Sequence, residues 1–416
     1  MIRLSSLGLL MLSVFIPFLI IGIATHDFVM LGMASSTGLA LMMDVFLIRL
    51  RGRVMCECID CESKRVRMWV FEDKSLSIHI KCDAKVVNVD LPGWFKVIDS
   101  RFGDNEVFLN LVTHFDYSGV YRLFVNIYRL SPLRLFIIKD SVDIGSEIIV
   151  YPETLYWILV ALHELGLAKS FGALEPRIPL ALWGDVGEYI GSREYAPGLS
   201  LKRIDWRATA KTGKLYVKLF SQGSEASYSI FFDGRCLGRY TCDRVASALL
   251  STVLAVHKSG LTATLCEIDK ERCTNYGNVD NLLLQALHTV LQLNVVDYNQ
   301  LYEFVEPSTI KILTKILGEV RYEKQKVFTV PDSPAYIITT LLHDVDKIIE
   351  IVKEAIAKQV RCIVLTPARP WIDVESNIER NAIMRSHRNV VKALKAMGVD
   401  VIELDTRSVV KGVARY

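Results

Sequence analysis

The chain has 416 residues, of which 51% are hydrophobic and 23% are charged. These fractions are close to those of ordinary globular proteins, which excludes a chain that is disordered throughout. The net charge of +3 excludes binding of nucleic acid through a general excess of positive charge. At roughly 150 residues per domain the length predicts about three domains. Nine cysteines, an odd number in a long chain, argue against a disulfide scaffold.

Two apolar runs lie at the start of the chain, at Leu4–Ala24 and Phe28–Ile48. As a helix, each is about long enough to cross a bilayer core of ~30 Å. The link between them, Thr25–Asp27, has room for a tight turn. Residues 1–50 are therefore predicted to form a hairpin of two transmembrane helices. The alternative for residues 1–24 is a cleaved signal peptide, but no A-x-A-like site follows the run.

Arginines flank this hairpin at both outer ends. Arg3 precedes the first run, Arg49, Arg51 and Arg53 follow the second, and the link has neither Lys nor Arg. The positive-inside rule then predicts a multi-pass protein of the cell membrane with both termini in the cytoplasm. Cysteines that look unpaired are consistent with that reducing compartment.

An acidic residue, Asp44, lies within the second run. An ionisable side chain inside a span is by default a candidate functional residue. Asp44 is also little more than one turn from Arg49, so the alternative is an acid that reaches out to the membrane interface.

Residues 51–151 contain short segments rich in Val, Ile, Phe and Tyr, separated by turn signals such as Gly103–Asn105. Alternation within the segments, as in Leu76, Ile78 and Ile80, places apolar side chains on one face. Short strands at this spacing predict an all-β antiparallel sandwich. A linker is predicted to follow at residues 152–226.

The pattern changes in residues 227–416, where apolar strand-like runs alternate with helical periodicity. Tyr228–Phe232 reads as a buried strand that ends at Asp233, and Arg239–Lys258 reads as an amphipathic helix. Alternating strands and helices predict a Rossmann-type parallel sheet covered on both faces.

The densest polar segment, residues 184–220, mixes basic, acidic and aromatic side chains. Cations beside aromatic rings suit phosphate backbones and stacked bases. The interspersed acids, for example Asp185 or Asp205, instead favour ion pairs with nearby arginines that fix a long loop. Nucleic acid is therefore the less favoured partner.

Part of this segment, residues 193–218, resembles the signature of the family catalogued as domain of unknown function 58. The chain departs from the signature at Leu199-Ser200, where the family usually has an acid after Pro-Gly. The residues that match, identically or with Lys in place of Arg, are Arg193, Tyr195, Pro197, Gly198, Lys202, Ile204, Asp205, Trp206, Ala210, Lys211, Leu215, Val217 and Lys218.

The resemblance implies an architecture and, loosely, a function. Members of that family typically have two membrane helices, a β-rich region, the signature and a von Willebrand factor A-like α/β domain. They are thought to act with MoxR-type AAA+ ATPases in protein maturation or cell-envelope processes. The signature residues Arg193, Tyr195, Pro197, Gly198, Lys202, Asp205, Trp206, Lys211 and Lys218 are the expected partner-binding set.

A von Willebrand A-like domain with a working metal site has D-x-S-x-S after its first strand, and these oxygens hold Mg²⁺. The corresponding segment begins Asp233-Gly234-Arg235, and Arg235 stands at the first serine position. Asp344 follows a later strand and would supply a second carboxylate. Two arrangements remain open: a degenerate magnesium site at Asp233 and Asp344, or a metal-free edge in which Arg235 pairs with Asp344.

Four cysteines suggest a second metal hypothesis. Cys56, Cys58 and Cys61 form C-x-C-x₂-C after the second apolar run, and with Cys82 they would make a tetrahedral zinc site. The alternatives are unpaired thiols near the membrane or a palmitoylated cysteine.

No P-loop, G-x-S-x-G or H-E-x-x-H motif occurs in the sequence, and no catalytic constellation stands out. The function expected is therefore not enzymatic and needs no cofactor: a membrane-anchored adaptor that docks a MoxR-type ATPase. The alternatives are a magnesium-dependent binder or hydrolase at Asp233 and Asp344, and a binder of anionic lipid or nucleic acid through residues 193–218. The sequence does not indicate an oligomeric state.

Overall fold

The computed structural model describes residues 2–51, 56–58, 65–83, 85–103, 105–168, 189–194, 205–220, 227–259, 262–276, 278–319, 325–326 and 333–405. The chain divides into two compact units, residues 1–151 and residues 152–416. Two apolar helices and a β-rich part make up the first unit, and α/β elements make up most of the second. The finer division at residues 50, 151 and 226 stays a prediction.

The two predicted apolar helices are present: α1 spans Ser6–Thr25 and α2 spans Phe28–Arg51. By length and composition each is able to cross a membrane. The Ser5 hydroxyl caps α1 by accepting a hydrogen bond from the Gly8 N–H. At the other end His26 takes a left-handed conformation, with φ of 53°, which lets the chain turn back into α2.

The β-rich part of the first unit consists of two sheets. Its strands are β1 (Ile2–Leu4), β2 (Cys56–Cys58), β3 (Arg65–Trp69), β4 (Lys74–Cys82), β5 (Val86–Asp90), β6 (Phe95–Phe102), β7 (Glu106–Thr113), β8 (Gly119–Leu130) and β9 (Phe136–Tyr151). One sheet has the order β1-β9-β8-β5, with β3 also beside β9, and the other has the order β2-β4-β7-β6.

Both sheets contribute to one hydrophobic core. Val107, Leu109 and Leu111 of β7 lie in the same buried cluster as Val125 and Ile127 of β8. The alternation of these residues with exposed ones follows from the two-residue period of a strand. Full burial of such side chains contributes about 1.5–3 kcal/mol each, so this core stabilises the two-sheet arrangement.

Three details of this region differ from the sequence prediction. The strands are not all short: residues 136–151 form the single long strand β9, in which polar residues and Gly145 interrupt the apolar pattern and the pairing with β8 continues after a shift in register. Strand β6 was not predicted, since it buries only its first residue, Phe95, and shows no alternation. The pairing is not wholly antiparallel, because β3 and β9 run parallel.

Asp44 has a structural role that neither prediction anticipated. Its side chain is fully buried, so the prediction of an acid that reaches out to the membrane interface is wrong. One carboxylate oxygen accepts from the Ser131 hydroxyl at 2.5 Å and from the Leu135 N–H at 3.2 Å. The other accepts from the Leu133 N–H at 3.0 Å. Asp44 therefore ties α2 to the turn between β8 and β9.

The start of the chain holds the same turn from the other side. Strand β1 pairs with the beginning of β9, and the Ser5 N–H donates to the Leu135 carbonyl at 2.9 Å. The Ser5 hydroxyl donates to the Arg134 carbonyl at 2.6 Å. Gly8 packs so closely that a Cβ atom there would collide with the Leu135 carbonyl oxygen. Residues before α1 and after α2 thus meet in one sheet.

The second unit contains an open sheet with helices. Its elements are α3 (Glu153–Glu164), β10 (Tyr189–Glu194), α4 (Trp206–Thr212), β11 (Tyr216–Phe220), β12 (Ser227–Phe232), α5 (Arg239–Ser259), β13 (Thr262–Glu267), β14 (Arg272–Tyr276), α6 (Val279–Gln292), α7 (Tyr298–Tyr302), α8 (Pro307–Glu319), β15 (Gln325–Lys326), β16 (Ala335–Ile338), α9 (Val345–Ala357), β17 (Cys362–Pro367), a 3₁₀ helix (Pro370–Asp373), α10 (Asn377–Ala396) and β18 (Asp400–Leu404).

Seven strands form the order β15-β14-β13-β12-β16-β17-β18. The strands from β13 to β18 in this order are parallel. Strand β14 runs antiparallel to β13, and β15 runs antiparallel to β14. On one face Phe231 and Ile337 pack with Ile348 and Val352 of α9 and Leu394 of α10. The predicted alternation of strands and helices is thereby confirmed, although the polar strand β14 was missed.

Substitution of Gly8 provides a test of the close contact between α1 and the β8–β9 turn. Gly8→Ala should lower the free energy of unfolding by about 1–3 kcal/mol, because the added methyl group collides with the Leu135 carbonyl. Thermal unfolding of the purified protein in detergent measures the effect. Gly32→Ala is the matched control: its Cβ meets nothing within 4 Å, so its stability should be unchanged or slightly higher. Equal midpoints for both variants would contradict the contact.

Candidate functional site

In the described part of the signature, β10 and β11 pair antiparallel, and α4 lies between them in the sequence. Asp205, which is 8% exposed, is the N-cap of α4. It accepts hydrogen bonds from the Arg207 N–H at 3.1 Å and the Ala208 N–H at 3.0 Å. The Ser192 hydroxyl of β10 donates to the same carboxylate at 2.5 Å. Asp205 therefore caps α4 and ties it to β10, a role that the sequence analysis did not predict.

Trp206 begins α4 and is 71% exposed. Lys211, in the last turn of the same short helix, is also exposed. Lys214 forms an exposed ion pair with Glu194 at 3.0 Å, which offsets part of the local positive charge. An exposed tryptophan on a fixed backbone can serve as an anchor for a protein partner, since tryptophan is enriched in binding hot spots.

For the other signature residues of the expected partner-binding set, the structure describes the main chain alone or nothing. Arg193 lies in β10 and Lys218 in β11, with their side chains outside the described part of the structure. Four predicted binding residues and one predicted ion-pair acceptor lie outside the described residues: Tyr195, Pro197, Gly198, Lys202 and Asp185.

A second cluster lies at the end of the central strand β12. Asp233 follows this strand and is fully buried. The guanidinium of Arg235 donates to both of its carboxylate oxygens, from Nε at 2.8 Å and from Nη2 at 3.0 Å. The third nitrogen, Nη1, donates to Asp344 at 2.8 Å. Arg235 thus bridges two acids in the metal-free arrangement that the sequence left open.

The electrostatics of this bridge favour the charged forms of Asp344 and Arg235. Hydrogen bonding and charge attraction from Arg235 hold the pKa of Asp344 below its usual range. The hydrogen bond with Asp233 raises the pKa of Arg235. Because the folded pKa of Asp344 is depressed, its contribution to stability is present at neutral pH and is lost as the pH falls through that pKa. A guanidinium occupies the space between the carboxylates where the magnesium hypothesis needs a cation.

The neighbouring N-terminus of α5 is closed by a carboxylate from a distant part of the chain. Asp373 accepts from the Tyr240 N–H at 3.0 Å, from the Thr241 N–H at 2.8 Å and from the Thr241 hydroxyl at 2.7 Å. Gly238 allows this approach, since a Cβ atom there would lie 2.8 Å from the Asp373 carboxyl carbon. The contacts fix the loop that carries Arg235.

A buried charge cluster between α3 and α5 was missed by sequence reasoning. Asp243 accepts from the Glu153 and Thr154 N–H groups at 3.2 and 2.8 Å, so it caps α3. Arg244 pairs with both Glu153 and Asp243, and all three charged residues are buried. Burial raises the pKa of Glu153, against the effect of Arg244. One signal in the sequence could have indicated this cluster: the charged pair Asp243-Arg244 lies on the apolar side of the predicted helix Arg239–Lys258.

The cysteines differ from the sequence prediction. Six of them form the disulfides Cys56–Cys82, Cys236–Cys242 and Cys266–Cys273, so the prediction of unpaired cysteines is wrong. A disulfide sulfur is not a thiolate, so Cys56 and Cys82 are not zinc ligands in this state. The side chain of Cys58 and all of Cys61 lie outside the described part. Cys362 is buried, and burial raises its pKa to about 12.

Within the part of the chain that the structure describes, no group of three or more His, Cys, Asp or Glu side chains could hold a metal ion. The pair Asp233 and Asp344 by itself falls short of such a set.

The chain thus combines two helices of membrane length, a β-rich region and an α/β region that carries the motif with Trp206. The model of a family described as "Protein of unknown function DUF58" matches residues 191–260, which include α4, β12 and α5. This segment of the chain matches that family, in agreement with the resemblance of the signature. No curated protein matches the chain.

The Arg235 bridge yields a prediction about stability. Arg235→Ala should lower the free energy of unfolding by about 2–3 kcal/mol, because the buried Asp233 carboxylate loses two charged donors. The loss falls short of a fully buried pair, since Arg235 is one-third exposed and water screens it. Chemical denaturation measures the change.

Arg239→Ala is the control, since Arg239 is an exposed arginine at the start of α5. It should change stability by less than about 0.5 kcal/mol. Equal losses in the two variants would show that the bridge does not stabilise the fold.

Proposed function

We propose that this protein is a membrane-anchored scaffold that docks a cytoplasmic protein partner and is not itself an enzyme. The partner expected is a MoxR-type AAA+ ATPase, in protein maturation or cell-envelope processes. The observation that carries the proposal is the exposed Trp206 on a helix that Asp205 and the β10–β11 pair hold in place. Such a rigid aromatic anchor costs little conformational entropy on binding.

The proposal includes a von Willebrand A-like assignment for the α/β part. The parallel strand order β13-β12-β16-β17-β18, in which the order reverses at β12, supports it. Asp233 and Asp344 lie near the carboxyl ends of strands, where ligands of open α/β sheets gather. The edge with Asp233, Arg235 and Asp344 is therefore proposed as a second, metal-independent docking surface.

The proposed orientation places both ends of the hairpin in the cytoplasm. The pairing of β1 with β9 supports a two-span hairpin, because it joins residues before α1 to residues after α2 in one sheet. A cleaved signal peptide would remove β1 from that sheet. The arginines at positions 3, 49, 51 and 53 support the cytoplasmic side.

Two alternatives remain less favoured. A magnesium-dependent binder or hydrolase would need the space that Arg235 fills between Asp233 and Asp344. A binder of anionic lipid or nucleic acid through residues 193–218 would use cations such as Lys214, which instead pairs with Glu194.

Trp206→Ala tests the docking surface. Removal of the indole should lower capture of the ATPase by at least tenfold, the loss expected for a hot-spot residue worth about 1.4 kcal/mol or more. The measurement is affinity capture of full-length protein from detergent-solubilised native membranes, with quantitative mass spectrometry of the co-purified proteins.

Two further variants separate binding from folding. Ile312→Ala removes an exposed apolar side chain on α8, outside both proposed surfaces, and should leave capture unchanged. Asp205→Ala removes the α4 cap, so it should lower both capture and local order. Unchanged capture by Trp206→Ala would reject the signature as the docking surface.

The orientation is tested by two reporters fused after Tyr416. A fluorescent protein that matures only in the cytoplasm should be bright, and a phosphatase that folds only outside should be inactive. Exchange of Arg49, Arg51 and Arg53 for glutamate is the control, since it removes the charge bias and should raise phosphatase activity. High phosphatase activity from the fusion to the unmodified chain would reject the cytoplasmic orientation.

A further inference from the structure

The turn between β8 and β9, residues 131–135, lies beside the membrane-length helices. Its contacts reach Asp44, which is seven residues before the end of α2 at Arg51. At about 1.5 Å per residue, that is ~10 Å inside the end of the helix. If α2 spans a bilayer, the turn is at the depth of the lipid headgroups or the first acyl carbons.

The main-chain N–H groups of this turn form hydrogen bonds within the protein, as a segment without access to water requires. Asp44 accepts the N–H groups of Leu133 and Leu135. The Ser131 N–H donates to the Phe136 carbonyl, the Arg134 N–H donates to the Ser131 carbonyl, and the Phe136 N–H donates to the Ser131 hydroxyl. Every main-chain N–H from Ser131 to Phe136 thus has an internal acceptor, which a segment inside a bilayer requires.

The tip of the turn nevertheless presents two side chains outward. Ser131 and Leu135 are buried, whereas Leu133 is 39% exposed and Arg134 is exposed. Arg134 has a φ of 61°, a left-handed conformation that is uncommon for arginine. An apolar side chain beside a cation matches the boundary between acyl chains and lipid phosphates.

Other cations lie near the same ends of the helices. Arg3 in β1 and Arg49 in α2 are both exposed. Clustered arginines at this level attract anionic lipid headgroups.

We propose that the β8–β9 turn is a third membrane contact, with Leu133 inserted at the acyl boundary and Arg134 bound to a lipid phosphate. The inference rests on the proposed membrane hairpin. It makes the β-rich part of the first unit a body seated on the bilayer, held by Asp44, rather than one that swings from a flexible tether.

Photocrosslinking in proteoliposomes tests the contact. Benzoylphenylalanine is placed at position 133 of the full-length protein, in vesicles of equal phosphatidylglycerol and phosphatidylcholine, and lipid adducts are counted by mass spectrometry after irradiation. Met42, exposed on α2, is the reference position within the span. Val120, which is 64% exposed on β8 and about 36 Å along the strand from the turn, is the control.

The expected result is lipid adducts at positions 133 and 42, and at least tenfold fewer at position 120. Each variant should keep the thermal midpoint of the unmodified protein in detergent, since all three positions are exposed. Adducts at position 42 without adducts at 133 would overturn the third contact and leave the hairpin standing. No adducts at either position would reject the hairpin, and the inference with it. Equal adducts at 120 would show unspecific lipid contact and overturn the assignment to the turn.

The phosphate contact has its own readout. Adducts at position 133 should contain phosphatidylglycerol at about twice the level of phosphatidylcholine. Arg134→Gln should bring that ratio to about one. A ratio of one in the protein that retains Arg134 would overturn the role of this residue.

Discussion

Carboxylates that accept hydrogen bonds from main-chain N–H groups hold each part of this protein in place. Asp44 fixes a turn of the β-rich part to α2, and Asp205 caps α4. Asp243 caps α3 and Asp373 caps α5. A buried carboxylate is costly unless such donors surround it, and N–H groups at helix starts are otherwise unsatisfied. Asp205 and Asp243 are buried and bind helix starts, so each of these two contacts removes two unfavourable features at once. Such an acid is hard to change without loss of the local fold.

The same physics separates structural acids from those available to a partner. Asp205 belongs to the signature, yet its oxygens are occupied by Ser192 and by the start of α4. Its neighbour Trp206 depends on that cap for its position and faces solvent. A shared sequence signature can thus contain residues of two kinds: those that build a motif and those that the motif displays. Asp344 shows the intermediate case, exposed to solvent but oriented by Arg235.

Periodicity in the sequence was sufficient for the two apolar helices, most strands of the β-rich part and the alternating α/β elements. It failed for β6, which buries one residue, and for β14, which is polar. The acids were misjudged for another reason. The main-chain donors of Asp44 and Asp373 are between 89 and 133 residues away, so no local pattern announces them. Cysteine pairing was missed on the same ground, since Cys56 and Cys82 meet only when β2 and β4 pair.

The arginines bear on the orientation of the chain in the membrane, whereas the disulfides bear on the redox conditions around the folded protein. Arginine bias acts while a membrane hairpin inserts, and in the proposed orientation it favours the cytoplasm. Disulfides report the redox conditions in which the folded chain persists, and they are rare in a reducing cytosol outside hyperthermophiles. Disulfides lie in both units, and Cys266–Cys273 is buried, which slows attack by a reductant. Cytoplasmic orientation and these disulfides are therefore compatible where the cytosol is oxidising or where burial shields the disulfide from reductants. In a reducing cytosol, half-exposed Cys236 and Cys242, in the loop after Arg235, would be the first of the described pairs to open.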